Sequence, residues 1–525
     1  MITHRPTTRE QTQEPQIQTV WFPDEGQQFG SLNKPSNLGR WTIGDTDFDD
    51  LVNFISYGKY LQQVPGLSII IATLAAPAVW ISAQPLNLAT YLFCLCTNGH
   101  IYQVSLGGVI TDIHAAGGFS TLCDIANWQG NTILISDVNQ AKVFSWDGTT
   151  FATPLSGQPA TFITVFSGRL WLANNNSLSF TAAGTFNSVA GDAGSLIMTD
   201  YDTPPPIKAL VPFQGSLYIF GYNWVQIVGN LFDTGNPAVL QLSRNSVTDE
   251  AGIINKWSVM PYGYSLLYSS LYGLWSLYGA QASFISEMIG GFFQNLVVGG
   301  STFSAAFGPI SQLPCVLWNI QWNNNGTNEY TQIGIDTASL SGGTPRFFRT
   351  VFGNINFITY GVDQTNGQQK IWGVDTSGNL TQMYVNSNTI VTSIANTKMW
   401  NFGTRIRIKE VIRVGALVAT TSPATLTFGV LDENQAVYSP DNQTGNPVGT
   451  YLWQYSGGSP FNWQFSGGAA FIWAGKAING ILYNTYDAIM GMQGRNIGIN
   501  FTITGVGAGV NAFGVEYVEV PADWE

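Results

Sequence analysis

Short runs that alternate large apolar side chains with small or polar ones recur through the middle of this chain. GNTILISD from Gly130, GRLWLAN from Gly168, GSLYIFG from Gly215 and GLWSLYG from Gly273 share one form, a glycine followed by a short apolar run. A period of two puts alternate side chains on opposite faces, so each run reads as a half-buried strand entered through a tight turn. After a polar turn a second short strand follows each: KVFSWDG from Lys142, SLSF from Ser177, NWVQIVG from Asn223 and ASFISE from Ala282. The leading glycines are spaced by 38, 47 and 58 residues, and the same rhythm appears in YLFCLCTNGHIYQVS (91–105) and QKIWGVDTSGNLTQMY (369–384).

A glycine-led strand, a turn and another strand, repeated every 40 to 50 residues or so, is the rhythm of β-propeller blades. Residues 66–395 accommodate about seven blades of about 47 residues each. One small sheet cannot bury both its faces, so blades must stack around a ring, and repetition is first a packing requirement. Asparagine and glycine crowd the turns because both tolerate the positive φ of tight hairpins.

The flanks have a different texture. Residues 1–65 carry Pro6, Pro15, Pro23 and Pro35 with little periodicity and are expected to be an extended segment lying along another surface. From residue 396 to 525 the strands lengthen, as in TRIRIKEVIRVGALV and RNIGINFTITGVGAGVNAFGVEYVEV, which predicts a C-terminal β-sandwich-like domain. The predicted fold class is therefore all-β: an N-terminal extension, a propeller of about seven blades and a C-terminal β domain.

Composition narrows the function. Only 10% of the 525 residues are charged, 13% are aromatic and 58 are glycine, which fits an all-β chain and excludes a disordered one. The 20 basic residues against 32 acidic ones give a net charge of -12, a poor basis for gripping nucleic acid by neutralising phosphates. The first 20 residues lack the apolar stretch of a signal peptide, and no run of about 18 apolar residues occurs elsewhere, so a soluble protein folded in a cytoplasm, with no membrane insertion, is expected. Cys94, Cys96, Cys123 and Cys315 lack zinc-ribbon spacing and are expected to be buried free thiols.

Candidate chemistry is sparse. His4, His100 and His114 are the only histidines, and none has the spacing of a Ser-His-Asp or HExxH arrangement. In FIWAGKA (471–477) the first glycine of a P-loop is replaced by Ala470 and the magnesium-binding hydroxyl by Ala477. SWDGTTF (145–151) approaches the aspartate box of sialidase-like propellers but lacks one residue, so a hairpin turn is the better reading. Asp45, Asp47, Asp49 and Asp50 alternate as in calcium loops, yet no glycine stands sixth and Ser56 stands twelfth, which leaves a solvated acidic loop. Arg405, Arg407 and Lys409 alternate with isoleucines, with Arg413 nearby; this basic stripe could meet phosphate, but salt bridges to a neighbouring subunit suit an acidic chain better. No catalytic residue, metal or cofactor is assigned.

The stretch YDTPPPIKALVPFQGSLYIFGYNWVQIVG (201–229) resembles the tail nozzle or tail-hub proteins of short-tailed bacteriophages, also called packaged-DNA stabilisation proteins. FTAAGTFNSV (180–189) is similar to a turn of that family, and GRNIGINFTITGVGAGVNAFGVEYVEV to its closing strands. The resemblance implies a non-enzymatic virion protein made in the host cytoplasm. It also implies a homo-oligomeric ring, six subunits in that family, below the portal and adaptor. The ring surrounds the exit channel for genomic double-stranded DNA and carries docking sites for fibres or spikes. A negative, weakly charged lining suits such a conduit, because lysines and arginines would trap phosphates at each step. The alternatives are a glycan- or receptor-binding propeller using exposed Trp and Tyr, and a propeller glycosidase, which would need two carboxylates about 5 to 10 Å apart in one cleft.

Overall fold

The computed structural model describes residues 16–24, 27–34, 43–113, 118–198, 203–235, 239–297, 303–324, 326–340, 344–385, 389–403, 407–420, 424–431, 437–438, 443–445, 453–454, 460–461 and 482–520. They fall into two units, one of Lys34–Asn37 with Val64–Thr389, the other of Met1–Asn33, Leu38–Gln63 and Ile390–Glu525.

The larger unit is a seven-bladed β-propeller. Antiparallel four-stranded sheets cover residues 78–112, 123–156, 162–197, 209–248 and 259–284, and four antiparallel strands paired in series cover 304–350; these are numbered here as blades 1 to 6. Blade 7 takes three strands from residues 355–382 and its outermost strand, Ile70–Thr73, from the start of the unit. Asn379 pairs with Thr73 and Leu380 with Ala72, so the first strand of the ring completes its last blade. The innermost strands lie side by side from blade 1 to blade 4 and from blade 5 to blade 7, and that of blade 7 returns to that of blade 1.

Local sequence explains the blades. The first hairpin of blades 2, 3 and 4 turns on Gln129-Gly130, Ser167-Gly168 and Gln214-Gly215, with both residues at positive φ. Such turns match the right-handed twist of the flanking strands, which is why glycine leads the repeated phrase. Blade 5 departs from the expected register. Its glycine-led second strand is Ser265–Ser269 after Gly263, and the phrase from Gly273 is its third strand, Leu274–Tyr278. The interval after Gly215 is thereby 48 residues rather than 58. Trp171, Trp224, Trp318 and Trp372 are fully buried, one in each of blades 3, 4, 6 and 7. Indole N–H groups also tie blades together, as where Trp146 donates to Gln103 Oε1 at 2.6 Å and Trp80 to the Cys123 carbonyl at 3.0 Å.

The smaller unit has two sheets. In one, Gly509–Glu519 pairs with Lys409–Thr420, Leu61–Gln63 and Gln18–Phe22, and Lys409–Thr420 pairs with Leu482–Gly494. In the other, Val391–Thr397 joins Phe48–Val52 to Gly498–Gly505, which pairs on with Ala424–Leu431. Phe513 from the first sheet meets Phe48 and Phe501 from the second edge-on, with centroids 6.3 and 5.4 Å apart, as in a sandwich core.

This corrects the expected partition. The described part of residues 1–65 is not an extension along a surface: four of its segments are strands of the sandwich. Val391–Thr397, placed by sequence in the propeller, is also a sandwich strand. Strands of three to five residues are too short to display alternation, and their partners lie far away in sequence, as Gln18 opposite Tyr517 shows.

Replacing Gly215, at φ +75°, by valine is expected to destabilise the fold by about 1–3 kcal/mol, since a β-branched residue is strained in that conformation. Urea unfolding checks this as a lower midpoint at unchanged slope.

Candidate functional site

The innermost strands of a propeller surround its axis, which is where a ligand or a conduit would be sought first. In this chain the axis is occupied by its own residues. The connection from blade 4 to blade 5 makes a single 3-10 turn, Lys256–Ser258, capped by Asn255, whose Oδ1 accepts from Trp257 N at 3.0 Å. Lys256 Nζ donates to both oxygens of Asp124 in blade 2 at 2.6 Å and to the carbonyl of Ile163 in blade 3 at 3.2 Å. The Trp257 ring packs on Trp80 of blade 1 at 5.4 Å and edge-on against Phe357 of blade 7 at 6.0 Å. Trp318 of blade 6 donates to the Ser258 carbonyl at 3.1 Å. Three consecutive residues thus touch blades 1, 2, 3, 6 and 7 from the entry to blade 5.

Asp124 is buried and also accepts from the backbone N–H groups of Ile163, at 2.7 Å, and Ile125, at 2.8 Å. Burial pushes its carboxyl upward, and the Lys256 ammonium with these N–H groups pulls it back. The pair is therefore a keystone in which neither partner is replaceable by water. Sequence reading missed it, because one lysine in a loop and one aspartate in a strand carry no periodic signal.

Several other cations among the described residues are also engaged within the chain. Arg169, buried in blade 3, binds Asp192 and reaches Asp233 of blade 4 at 2.8 Å. Arg349 pairs with Glu329, Arg346 with Asp336, and Lys370 with Asp363 at 2.8 Å.

The members of the predicted basic stripe differ in setting. Arg405 lies outside the described residues. Arg407 pairs with Glu519 at 2.9 Å. Lys409 is fully buried, its Nζ donating to the carbonyls of Arg407 and Arg495 at 3.0 and 2.8 Å. Arg413 lies 3.9 Å from Glu516. Arg407 and Arg413 are 64% and 44% exposed beside these partners.

Nor are the four aspartates a solvated loop. Asp45 is exposed and pairs with Lys398, while Asp47 accepts from Ser31 N and Asn33 Nδ2, both at 2.9 Å. Asp49 and Asp50 belong to the sandwich strand Phe48–Val52, with Asp49 buried. Alternation there is that of a strand.

The remaining candidates are structural. Asp147 of SWDGTTF accepts from the N–H groups of Thr150, at 2.7 Å, and Thr149, at 2.8 Å, which hold its carboxyl below the usual range and tie a hairpin turn. FIWAGKA lies outside the described residues, as do His4 and His114. His100 holds Asp112 at 2.7 Å through Nδ1 and stacks on Tyr102. Among the described residues no three of His, Cys, Asp and Glu group as a metal site, and no helix is long and apolar enough to cross a membrane. All four cysteines are free and buried, and burial pushes their thiols up, that of Cys96 to about 12.

No protein-family model matches this chain, and no curated protein matches it. Solved structures similar to it include that of U3-55K, 9% identical with a TM-score of 0.38, which covers 61% of this chain and 98% of its own. Another is streptogramin B lyase, 10% identical with a TM-score of 0.37, covering 59% of this chain and 95% of its own. A third is BBS1N in complex with ARL6DN, 8% identical with a TM-score of 0.40, covering 62% of this chain and 97% of its own.

Lys256→Met leaves the Asp124 carboxylate buried and uncompensated and is expected to cost about 3–5 kcal/mol. Adding Asp124→Leu to that variant should recover most of the loss. Thermal or urea denaturation of the single and double variants reads the coupling directly.

Proposed function

We propose that this chain is a non-enzymatic structural subunit of the tail of a short-tailed bacteriophage. In this reading copies form a ring, six by the family resemblance, around the DNA exit channel of the virion. The ring docks on a head-to-tail adaptor, offers sites to fibres or spikes, retains the packaged genome and guides its release. The subunits are made in the host cytoplasm.

The observation that carries this reading is the disposition of charge. A chain of net charge -12 ties Arg169, Lys256, Arg346, Arg349, Lys370, Lys398 and Arg407 to carboxylates of its own. Seven of the twenty cations are thus neutralised within the chain, which with the acidic balance suits sliding DNA better than gripping it. The filled axis adds to this, since Lys256 and Trp257 occupy the place where a propeller enzyme or lectin would open a throat. Duplex DNA then passes between subunits, around their common axis.

The mass of the purified protein, alone and with its adaptor, tests the proposal by native mass spectrometry or light scattering. A closed ring in either condition is the expected result. A monomer that ignores the adaptor would overturn it.

A further inference from the structure

In the smaller unit, the sheet that carries Gly509–Glu519 holds a tryptophan laid flat beside a small polar depression. Register places the residues concerned in two adjacent rows. Thr19 stands opposite Glu516 and Glu516 opposite Arg413, while Trp21 stands opposite Gly514 and Gly514 opposite Gly415. Directly opposed residues share one face of a sheet. The residues between these rows, Val414 and Val515, are fully buried, so the two rows point away from the core.

Gly514 sets the attitude of the indole. A Cβ built there would stand 2.9, 2.9 and 3.0 Å from Cε3, Cζ3 and Cδ2 of Trp21, three neighbouring atoms of its six-membered ring. A point nearly equidistant from three atoms of a regular hexagon lies close to the axis through its centre, so the ring lies face-down on the glycine. Trp21 is still 38% exposed, through its other face. Glycine inside a strand weakens it and often marks a place where something approaches closely. Trp21 accounts for Gly514 in this way. Gly415, beside it, lines a depression of about 90 Å³ together with Trp21, Thr19, Arg413 and Glu516. That is room for roughly six to nine waters, or for one six-membered ring with its substituents.

The polar rim narrows the class of ligand. Arg413 Nε and Glu516 Oε2 are 3.9 Å apart, beyond hydrogen-bond range, and the side chains are 44% and 33% exposed. A guanidinium only donates and a carboxylate only accepts. An anion would meet the carboxylate and a cation the guanidinium, whereas adjacent hydroxyls, each donor and acceptor, satisfy both. The negative face of the indole favours the weakly positive C–H groups on the underside of a saturated ring. A nucleotide would bring phosphate to a chain of net charge -12. We propose that this depression binds a single saccharide ring, its C–H face on Trp21 and two neighbouring hydroxyls on Arg413 and Glu516, with Gly415 leaving the space it enters. The site lies wholly in the smaller unit and does not depend on the ring reading.

Saturation-transfer NMR on the full-length chain tests it with the methyl glycosides of glucose, galactose, mannose and N-acetylglucosamine, each at about 10 mM, enough to load a millimolar site. Cyclohexanol, a ring of similar size with one hydroxyl, is the control. At least one glycoside is expected to bind, and cyclohexanol at least about threefold more weakly, the value of one lost hydrogen bond. Trp21→Ala should weaken binding about tenfold by removing the platform. Gly415→Val places a side chain suited to a strand in the depression and should abolish binding at an unchanged melting temperature. Trp21→Ala, on an edge strand, decides alone if that variant fails to fold. No transfer to any of the four glycosides, equal transfer to cyclohexanol, or binding that survives Trp21→Ala would overturn the proposal. None of these results would alter the mass of an assembly, so the ring reading stands or falls separately.

Discussion

Ring closure is the constraint on which the rest of this structure depends. A four-stranded blade exposes both faces unless it has neighbours, and seven blades have no free end only if the last meets the first. Here the join is made inside a blade, by the pairing of Ile70–Thr73 with Asn379–Gln382. Thr73 Oγ1 donates to Asn379 Oδ1 at 2.9 Å, and the Leu74 N–H to the Gly378 carbonyl at 2.9 Å. Some three hundred residues separate the partners, yet loop-closure entropy grows only slowly with length, so the cost is modest beside the apolar area that closure buries. The same topology makes contacts non-local and predicts slow folding.

Closure also explains why the sandwich is built from both ends of the chain. Because the first and last strands of the propeller lie in one blade, the polypeptide enters and leaves the ring at the same place. The chain before the ring, ending in Leu61–Gln63, and the chain after it, beginning with Val391–Thr397, both belong to the smaller unit. Its sheets combine residues 18–63 with residues 391–519. The axis presents a second problem, since seven sheets packed around a centre leave a hole too narrow for a blade and too large to leave empty. Lys256 and Trp257 fill it with one charge pair and one aromatic stack.

What the sequence made legible follows from these mechanics. Blades 2, 3 and 4 announced themselves because their first turns need glycine at positive φ, and their second strands are apolar along most of their length. Blade 6 has the same turn built from Ser311 and Gln312, both at positive φ, and so carries no glycine to find. In blade 5 Gly273 led an equally apolar run and drew the register to the third strand. The four short N-terminal strands and the Lys256 keystone were invisible for a shared reason: both are defined by partners remote in sequence. The basic stripe was visible as alternation, but alternation alone does not say whether a lysine faces water. Lys409 faces two carbonyls instead.

Low charge has a consequence that links the interior to the rim. Propeller edges are commonly protected by lysine or proline on the outer strand, which prevents pairing with another chain. With 10% charged residues, and many of the cations held by internal carboxylates, this chain has few left for that duty. Its outer strands Ile70–Thr73 and Ile110–Asp112 carry one charge between them, Asp112, and leave Ile70 and Ile110 exposed. Under the proposed ring reading, the same shortage of charge favours both weak contact with DNA and association between copies.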